Sequence, residues 1–260
     1  SLMFIEAGQS LTVRELMRGL AVPSGNDAAV ALARAVSGTV EAFVGEMNAE
    51  AARLELEDVH FVDPAGIEEE NRVTARSFGR FCRRYILEHP YALEELHSLQ
   101  EFTYPKMEHM AGGRSAYGSI TQENYNLLVG RHPWVDGLKT GYIEESGYNI
   151  AVTAQNQGRR VVAVVMGGPG DSTREGNLSR LIDGTNLISY GFYAFSELKP
   201  EIGGSISTAV YGGDQESVNL RVPEMEPLIL PSREAGAVRL EMQLRQPLWA
   251  PISAGEELGR

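Results

Sequence analysis

A chain of 260 residues, 43% hydrophobic and 22% charged, is long enough to bury one large core or two smaller ones, which excludes disorder, a collagen-like fibre and a disulfide scaffold. The net charge of −12, from 23 basic and 35 acidic residues, argues against a nucleic-acid partner, whose phosphates would demand the opposite sign. No apolar run approaches the ~18 residues of a membrane span, and the lone cysteine, Cys82, permits no internal disulfide without excluding an oxidising compartment.

In chain order, the opening Ser1-Leu2-Met3-Phe4-Ile5 lacks an initiator methionine and runs into a turn at Gly8. The ending Gly255-Glu256-Glu257-Leu258-Gly259-Arg260 reads as a turn before another strand, so both ends are expected to be cut. Thr12 with Glu15 has the form of a capping box leading into Leu16, Met17 and Leu20. Pro23-Ser24-Gly25-Asn26 breaks that helix and starts another over 27–36, with Asp27 in the first turn, where an acid suits the dipole. Thr39 caps a third helix carrying Phe43, Met47, Ala51 and Leu54, and residues 59–66 read as a loop. A fourth helix starts at Thr74, buries Phe78, Phe81, Cys82 and Tyr85, and stops at His89-Pro90.

Past about residue 100 the texture changes. Gly112-Gly113 marks a loop, and 124–128 is a short polar-apolar segment. Strands are expected over 137–142, 148–155 and 160–167, the last two joined by the turn Asn156-Gln157-Gly158. Helical spacing returns over 173–195 through Leu178, Leu181, Ile182, Ile188 and Phe192. Beyond Lys199-Pro200 only short alternating runs occur, such as 217–222 and 238–244. This places a domain boundary near 200, with a small all-β module behind it.

Most chemical motifs fail. Five histidines, His60, His89, His97, His109 and His132, form no HExxH or close pair, and Asp58, His60 and Asp63 lack a supporting shell, so no metal is expected. Gly167-Gly168-Pro169-Gly170-Asp171-Ser172-Thr173 lacks the Gly-Lys-Ser/Thr of a phosphate loop and reads as a tight strand-to-helix connection. Glu68-Glu69-Glu70 is a solvated face, and no Gly-x-Ser-x-Gly elbow exists.

One pair survives: Ser24-Gly25-Asn26 at a helix start and Lys139-Thr140-Gly141 in a strand. Only three residues are lysines, Lys106, Lys139 and Lys199, so the second tripeptide had few places to occur. A strand-borne cation and hydroxyl suit a substrate carboxylate, a glycine beside them admits a substrate backbone, and a serine and asparagine opposite can relay a proton and bind an amide. Together with Leu16-Met17-Arg18-Gly19-Leu20-Ala21-Val22-Pro23-Ser24-Gly25-Asn26-Asp27-Ala28-Ala29, His60-Phe61-Val62-Asp63-Pro64-Ala65-Gly66, Asn124-Tyr125-Asn126-Leu127-Leu128, Asp136-Gly137-Leu138-Lys139-Thr140-Gly141-Tyr142 and Gly147-Tyr148-Asn149, these residues resemble the low-molecular-mass penicillin-binding proteins, the D-alanyl-D-alanine carboxypeptidases of serine peptidase type. The tail around Pro247-Leu248-Trp249-Ala250-Pro251-Ile252 is similar to that family's small C-terminal β domain.

The resemblance implies an α/β (α+β) architecture. A transpeptidase-like catalytic domain over 1–199, an antiparallel sheet flanked by helices, precedes a β domain over 200–260. It implies that Lys139 and Thr140 hold the terminal carboxylate of the peptide or of a β-lactam, with Gly141 beside them and the Tyr142 N–H as an oxyanion donor. Ser24 joins a proton relay, Asn26 binds the substrate amide, and Arg174 faces the carboxylate. The implied partners are the peptidoglycan stem peptide ending in D-Ala-D-Ala and β-lactam inhibitors. Neither metal nor organic cofactor is implied. The implied location is extracytoplasmic, with peripheral membrane association through residues beyond the C-terminus.

The family's nucleophile motif, Ser-x-x-Lys, precedes the other two and is expected upstream of Ser1. The one such string here, Ser196-Glu197-Leu198-Lys199, follows them at the expected end of the last helix and reads as a decoy. Two alternatives stay open: a β-lactamase, and a catalytically inactive relative that binds peptidoglycan or a wall-building partner.

Overall fold

The structure, a computed structural model, describes residues 1–106, 118–200 and 206–259. Helix α1 (Val13–Ala21) begins with the reciprocal cap that Thr12 and Glu15 predict. The Thr12 hydroxyl accepts from the Glu15 N–H at 3.2 Å, and the Glu15 carboxylate accepts from the Thr12 N–H at 3.0 Å. Helix α2 (Asn26–Ser37) follows directly on Pro23-Ser24-Gly25. The Asp27 carboxylate in its first turn accepts from the N–H groups of Met3 and Ile5, at 2.7 and 3.0 Å, tying the chain start to this helix. Thr39 caps α3 (Val40–Arg53) and Thr74 caps α4 (Ala75–Glu88), which stops just before His89-Pro90. A π-helical turn (Leu93–His97) then leads to β1 (Glu101–Tyr104), paired antiparallel with β2 (Ile120–Glu123). The sequence signals neither strand, because four residues are too few to display a period. Phe102 and Tyr104 of β1 pack with Met3, Leu16, Val22 and Ala28 in one core. The loop expected at Gly112-Gly113 lies outside the described residues.

The central sheet has the antiparallel order β3 (Val135–Ile143), β4 (Gly147–Asn156), β5 (Arg159–Gly168). β4 is its middle strand and is covered on both faces. On one face Leu138 and Ala151 meet Cys82 and Ile86 of α4 and Leu93 of the π-helical turn. On the other lies α5 (Thr173–Tyr193), brought close by two glycines. A Cβ at Gly184 would stand 3.0 Å from Leu128 and 3.6 Å from Val152, and one at Gly176 would overlap the Tyr148 ring. Helices therefore flank an antiparallel sheet, and β3, at the end of the strand order, carries Lys139.

The chain divides into two compact units, Ser1–Ser189 and Tyr190–Arg260. In the second, β6 (Phe195–Leu198) pairs antiparallel with β9 (Leu228–Pro231). β7 (Ile206–Tyr211) pairs antiparallel with β8 (Ser217–Leu220) and parallel with β10 (Leu248–Trp249). Two expectations are corrected here. Ser196-Glu197-Leu198 lies on strand β6, not at a helix end. The alternating run 238–244 forms no strand: Leu240 and Met242 are exposed, and only the isolated bridge Leu244–Gly259 forms. Alternation predicts a strand only where a ladder partner is present. Among the described residues no single helix is long and apolar enough to cross a membrane.

Candidate active site

A cleft of about 730 Å³ opens in the first unit, and Ser24, Asn26, Lys139, Thr140, Gly141 and Tyr142 all line it. Two local features place them. Ser24 is the hinge between α1 and α2 and sits in the left-handed region, φ 58°, a conformation that costs a serine about 1–2 kcal/mol. The hinge is held from behind by the Gly25 N–H, which donates to the Gly19 carbonyl at 2.9 Å. Lys139 comes from β3, whose Leu138 is buried in the core below and whose Thr140 is 8% exposed.

The fold brings these two elements together, 115 positions apart in sequence. Lys139 Nζ donates to Ser24 Oγ at 2.8 Å and to the Thr140 carbonyl at 2.9 Å. Among the described residues no carboxylate pairs with Lys139, whereas Arg180 adds a second positive charge nearby. Burial first, and then Arg180, push its ammonium pKa down to about 8. Lys139 at neutral pH is thus a cation with neutral hydrogen-bond partners, which an incoming carboxylate would complete. Ser24, accepting from that cation, keeps its own hydroxyl proton free to donate.

Gly141 shows a different signal. A Cβ there would meet only Asn149 Cβ, at an ordinary 3.9 Å, so packing within the chain does not require glycine. Its smallness opens the cleft side of β3. Beyond it Tyr142 is 54% exposed, with its ring 4.4 Å from that of Tyr148.

Arg174 does not line this cleft. It lies with Arg131, Leu127 and Leu178 along a neighbouring groove. The arginine the cleft receives is Arg180, six positions on and about 240° around the helix. Arg180 is 6% exposed, donates to the Gly141 carbonyl at 3.3 Å and to Asn177 Oδ1, and lies 5.5 Å over the Tyr148 ring. The sequence reading missed it, although Gly176, Arg180 and Gly184 recur every four residues and so share the face of α5 turned to the sheet.

The loop around Asp63 also lines the cleft. Its carboxylate accepts from the N–H groups of Ala65, Gly66, Ile67 and Glu68 at 2.6–3.0 Å, and from Asn71 Nδ2. Burial alone would raise the Asp63 pKa, but these donors outweigh it and hold the group below the usual carboxylate value. Tyr85, expected only as a buried residue of the fourth helix, and His97, to which the sequence reading gave no role, also line the cleft.

Two family descriptions match the chain: D-alanyl-D-alanine carboxypeptidase over residues 1–170, and the C-terminal domain of penicillin-binding protein 5 over 203–260. Among curated proteins, the D-alanyl-D-alanine carboxypeptidase DacF of Bacillus subtilis is 28% identical over 260 residues, all of this chain and 64% of that protein. DacD of Escherichia coli is 33% identical over 264 residues, all of this chain and 63% of that protein. The chain thus spans less than two thirds of the length of these relatives. Among solved structures, penicillin binding protein 5 from Haemophilus influenzae superposes with a TM-score of 0.75 at 30% identity, over all of this chain and 71% of that one. Penicillin-binding protein D2 from Listeria monocytogenes, solved in a cefotaxime-bound form, gives 0.58 at 27%, over 70% of this chain and 67% of that one.

Proposed function

The chain belongs to the D-alanyl-D-alanine carboxypeptidase family, and from that premise we propose that its cleft holds the carboxylate end of a peptidoglycan stem peptide finishing in D-Ala-D-Ala, and β-lactams that present a carboxylate in the same place. The observation that carries this reading is the Lys139 ammonium, bound among the described residues only by the Ser24 hydroxyl and the Thr140 carbonyl, with the charge of Arg180 nearby. In this reading Lys139 and Thr140 take the carboxylate, and Gly141 lets the peptide backbone approach. The Tyr142 N–H is an oxyanion donor, Asn26 takes the substrate amide, and Ser24 passes a proton toward the leaving amine. Arg180, rather than Arg174, supports the carboxylate.

The reaction proposed for the protein is acyl transfer to a serine. The serine oxygen attacks the carbonyl carbon of the penultimate D-alanine, the C–N bond breaks, and D-alanine leaves with the proton on its amine. Water then cleaves the ester. Such a substrate places the work on the extracytoplasmic side, in the periplasm or at the outer face of the cytoplasmic membrane. Among the described residues no Ser-x-x-Lys pair lines the cleft, so we propose that residues 1–260 by themselves bind without being acylated, as a binding-only relative also would.

The test uses the 260-residue chain. A D-Ala-D-Ala peptide titrated against isotope-labelled protein should give saturable shifts at β3 that Lys139→Ala removes, while fluorescent penicillin should leave no covalent adduct. Absence of peptide binding by the unaltered chain would sink the cleft reading. A penicillin adduct on any of its serines would overturn the non-acylating reading.

A further inference from the structure

Directly behind Lys139 a hydrogen-bonded chain crosses from α4 to β3 through one imidazole. Tyr85 Oη lies 2.9 Å from His97 Nε2, and His97 Nδ1 lies 3.3 Å from the Leu138 carbonyl oxygen. A carbonyl can only accept, so Nδ1 must carry the proton. Nε2 is then a lone pair, and the Tyr85 hydroxyl donates to it. A neutral ring with a single proton satisfies both contacts, and only the Nδ1–H tautomer does so.

Packing and hydrogen bonds also hold the residue that bears the ring. Tyr85 meets it edge-on, with centroids 5.5 Å apart. From β3, a Cβ at Gly137 would stand 3.0 Å from His97 Cβ, so the glycine two positions before Lys139 is the room this histidine needs. Asn124 Nδ2 donates to the carbonyls of His97 and Leu99, at 3.3 and 2.9 Å, fixing the end of the π-helical turn. The ionisable groups that bear on the ring are Tyr85 from α4 and Lys139 and Asp136 from β3. Asp136 is already taken by Arg160, at 2.7 and 2.8 Å. On the α1 side Arg14 pairs with Glu95, and Arg18 donates to the Glu95 carbonyl. Burial, and the nearby charge of Lys139, disfavour a second proton on the ring, against weaker opposition from the Leu138 carbonyl and Asp136.

We propose that His97 is a positioning residue for the cleft: held as the Nδ1–H tautomer by Tyr85, it ties down the Leu138 carbonyl and so sets where the next residue, Lys139, presents its ammonium. The effect on ligand binding rests on the carboxylate reading of Lys139. The tautomer and the coupling to Lys139 do not.

The first measurement is a long-range proton–nitrogen spectrum of the 15N-labelled 260-residue chain at neutral pH. One imidazole, assigned by its loss in His97→Asn, should show the Nδ1–H pattern; an Nε2–H pattern would overturn the proposal. The second compares His97→Leu, which has no donor, with His97→Asn, whose amide nitrogen falls near the place of Nδ1. The three lysines are 13C-methylated and the Lys139 signal is assigned through Lys139→Arg. His97→Leu should shift the Lys139 titration and weaken D-Ala-D-Ala peptide binding about tenfold, the scale of one lost hydrogen bond, and His97→Asn should restore both. A folded His97→Leu protein with an unchanged Lys139 titration, or an Asn variant no better than Leu, would refute positioning. If the unaltered chain binds no peptide, the carboxylate reading fails alone, because the tautomer and the Lys139 signal still report on His97. Should His97→Leu not fold, the tautomer measurement decides.

Discussion

Ser24 and Lys139 stand 115 positions apart, yet the ammonium lies 2.8 Å from the hydroxyl in a partly buried corner. Ser196 and Lys199 are three positions apart, yet Ser196 Oγ donates to Ser232 Oγ at 2.9 Å, and Lys199, 71% exposed, lies 4.0 Å from Glu197. The second pair satisfies a motif string and the first satisfies a chemical need. The reason is the period of the backbone. On a helix, positions i and i+3 share a face, so Ser-x-x-Lys puts hydroxyl and amine side by side. Here Ser196 lies on strand β6, whose period is two, and Lys199 lies just past the end of that strand, so the spacing gives the pair no shared helical face. The motif therefore has meaning only with the element that carries it.

The sharpest way to break this comparison is to remove each lysine. Lys139→Ala should weaken binding of a D-Ala-D-Ala peptide by on the order of 10–100-fold, the worth of a charge-assisted hydrogen bond, whereas Lys199→Ala and Ser196→Ala should leave it unchanged. Equal losses in calorimetric titrations of the two lysine variants would erase the distinction.

The pH profile should separate the pairs too. Lys139 ionises near 8, so peptide affinity should hold at neutral pH and fall as pH rises through that value, since the deprotonated amine no longer attracts a carboxylate. A bound carboxylate moves this limb upward. The profile of Lys199→Arg should overlay that of the unaltered chain, and a falling limb that survives in Lys139→Arg would assign it to another group.

The Asp63 loop of the cleft offers a stability contrast. Asp63→Ala leaves four backbone N–H groups without their acceptor and should cost about 1–3 kcal/mol in urea unfolding. The Asp63 pKa is lowered by folding, so its contribution is present above the unfolded carboxylate value and is lost as pH falls through the folded one. Ser196→Ala, which removes only an exposed hydroxyl contact, should stay within about 0.5 kcal/mol.

The last expected effect has the opposite sign. Ser24 holds φ 58°, where glycine carries no Cβ penalty, so Ser24→Gly should raise stability by up to about 1 kcal/mol while weakening the Lys139 corner. A destabilised Ser24→Gly protein would mean that the hydrogen bond to Lys139 outweighs the backbone strain.

Local chemistry was legible in the order of residues. Thr12 with Glu15, Thr39, Thr74 and His89-Pro90 placed four helix ends, because caps and proline act within a few positions. Asn156-Gln157-Gly158 placed the β4–β5 hairpin for the same reason. The two tripeptides around Ser24 and Lys139 pointed to the cleft through residue type and chain order, without any knowledge of distance. What the order of residues did not show depends on contacts between distant segments. β1 is a strand because β2 pairs with it, and 238–244 is not one because it has no ladder partner. Arg180 reaches the cleft, and Arg174 does not, because the sheet fixes which face of α5 is buried. His97 gains its tautomer from Tyr85 on one side and the Leu138 carbonyl on the other. Caps, turns and periods are short-range physics carried by neighbouring residues. Burial, electrostatics and the facing of one side chain by another arise only when separate elements share a volume.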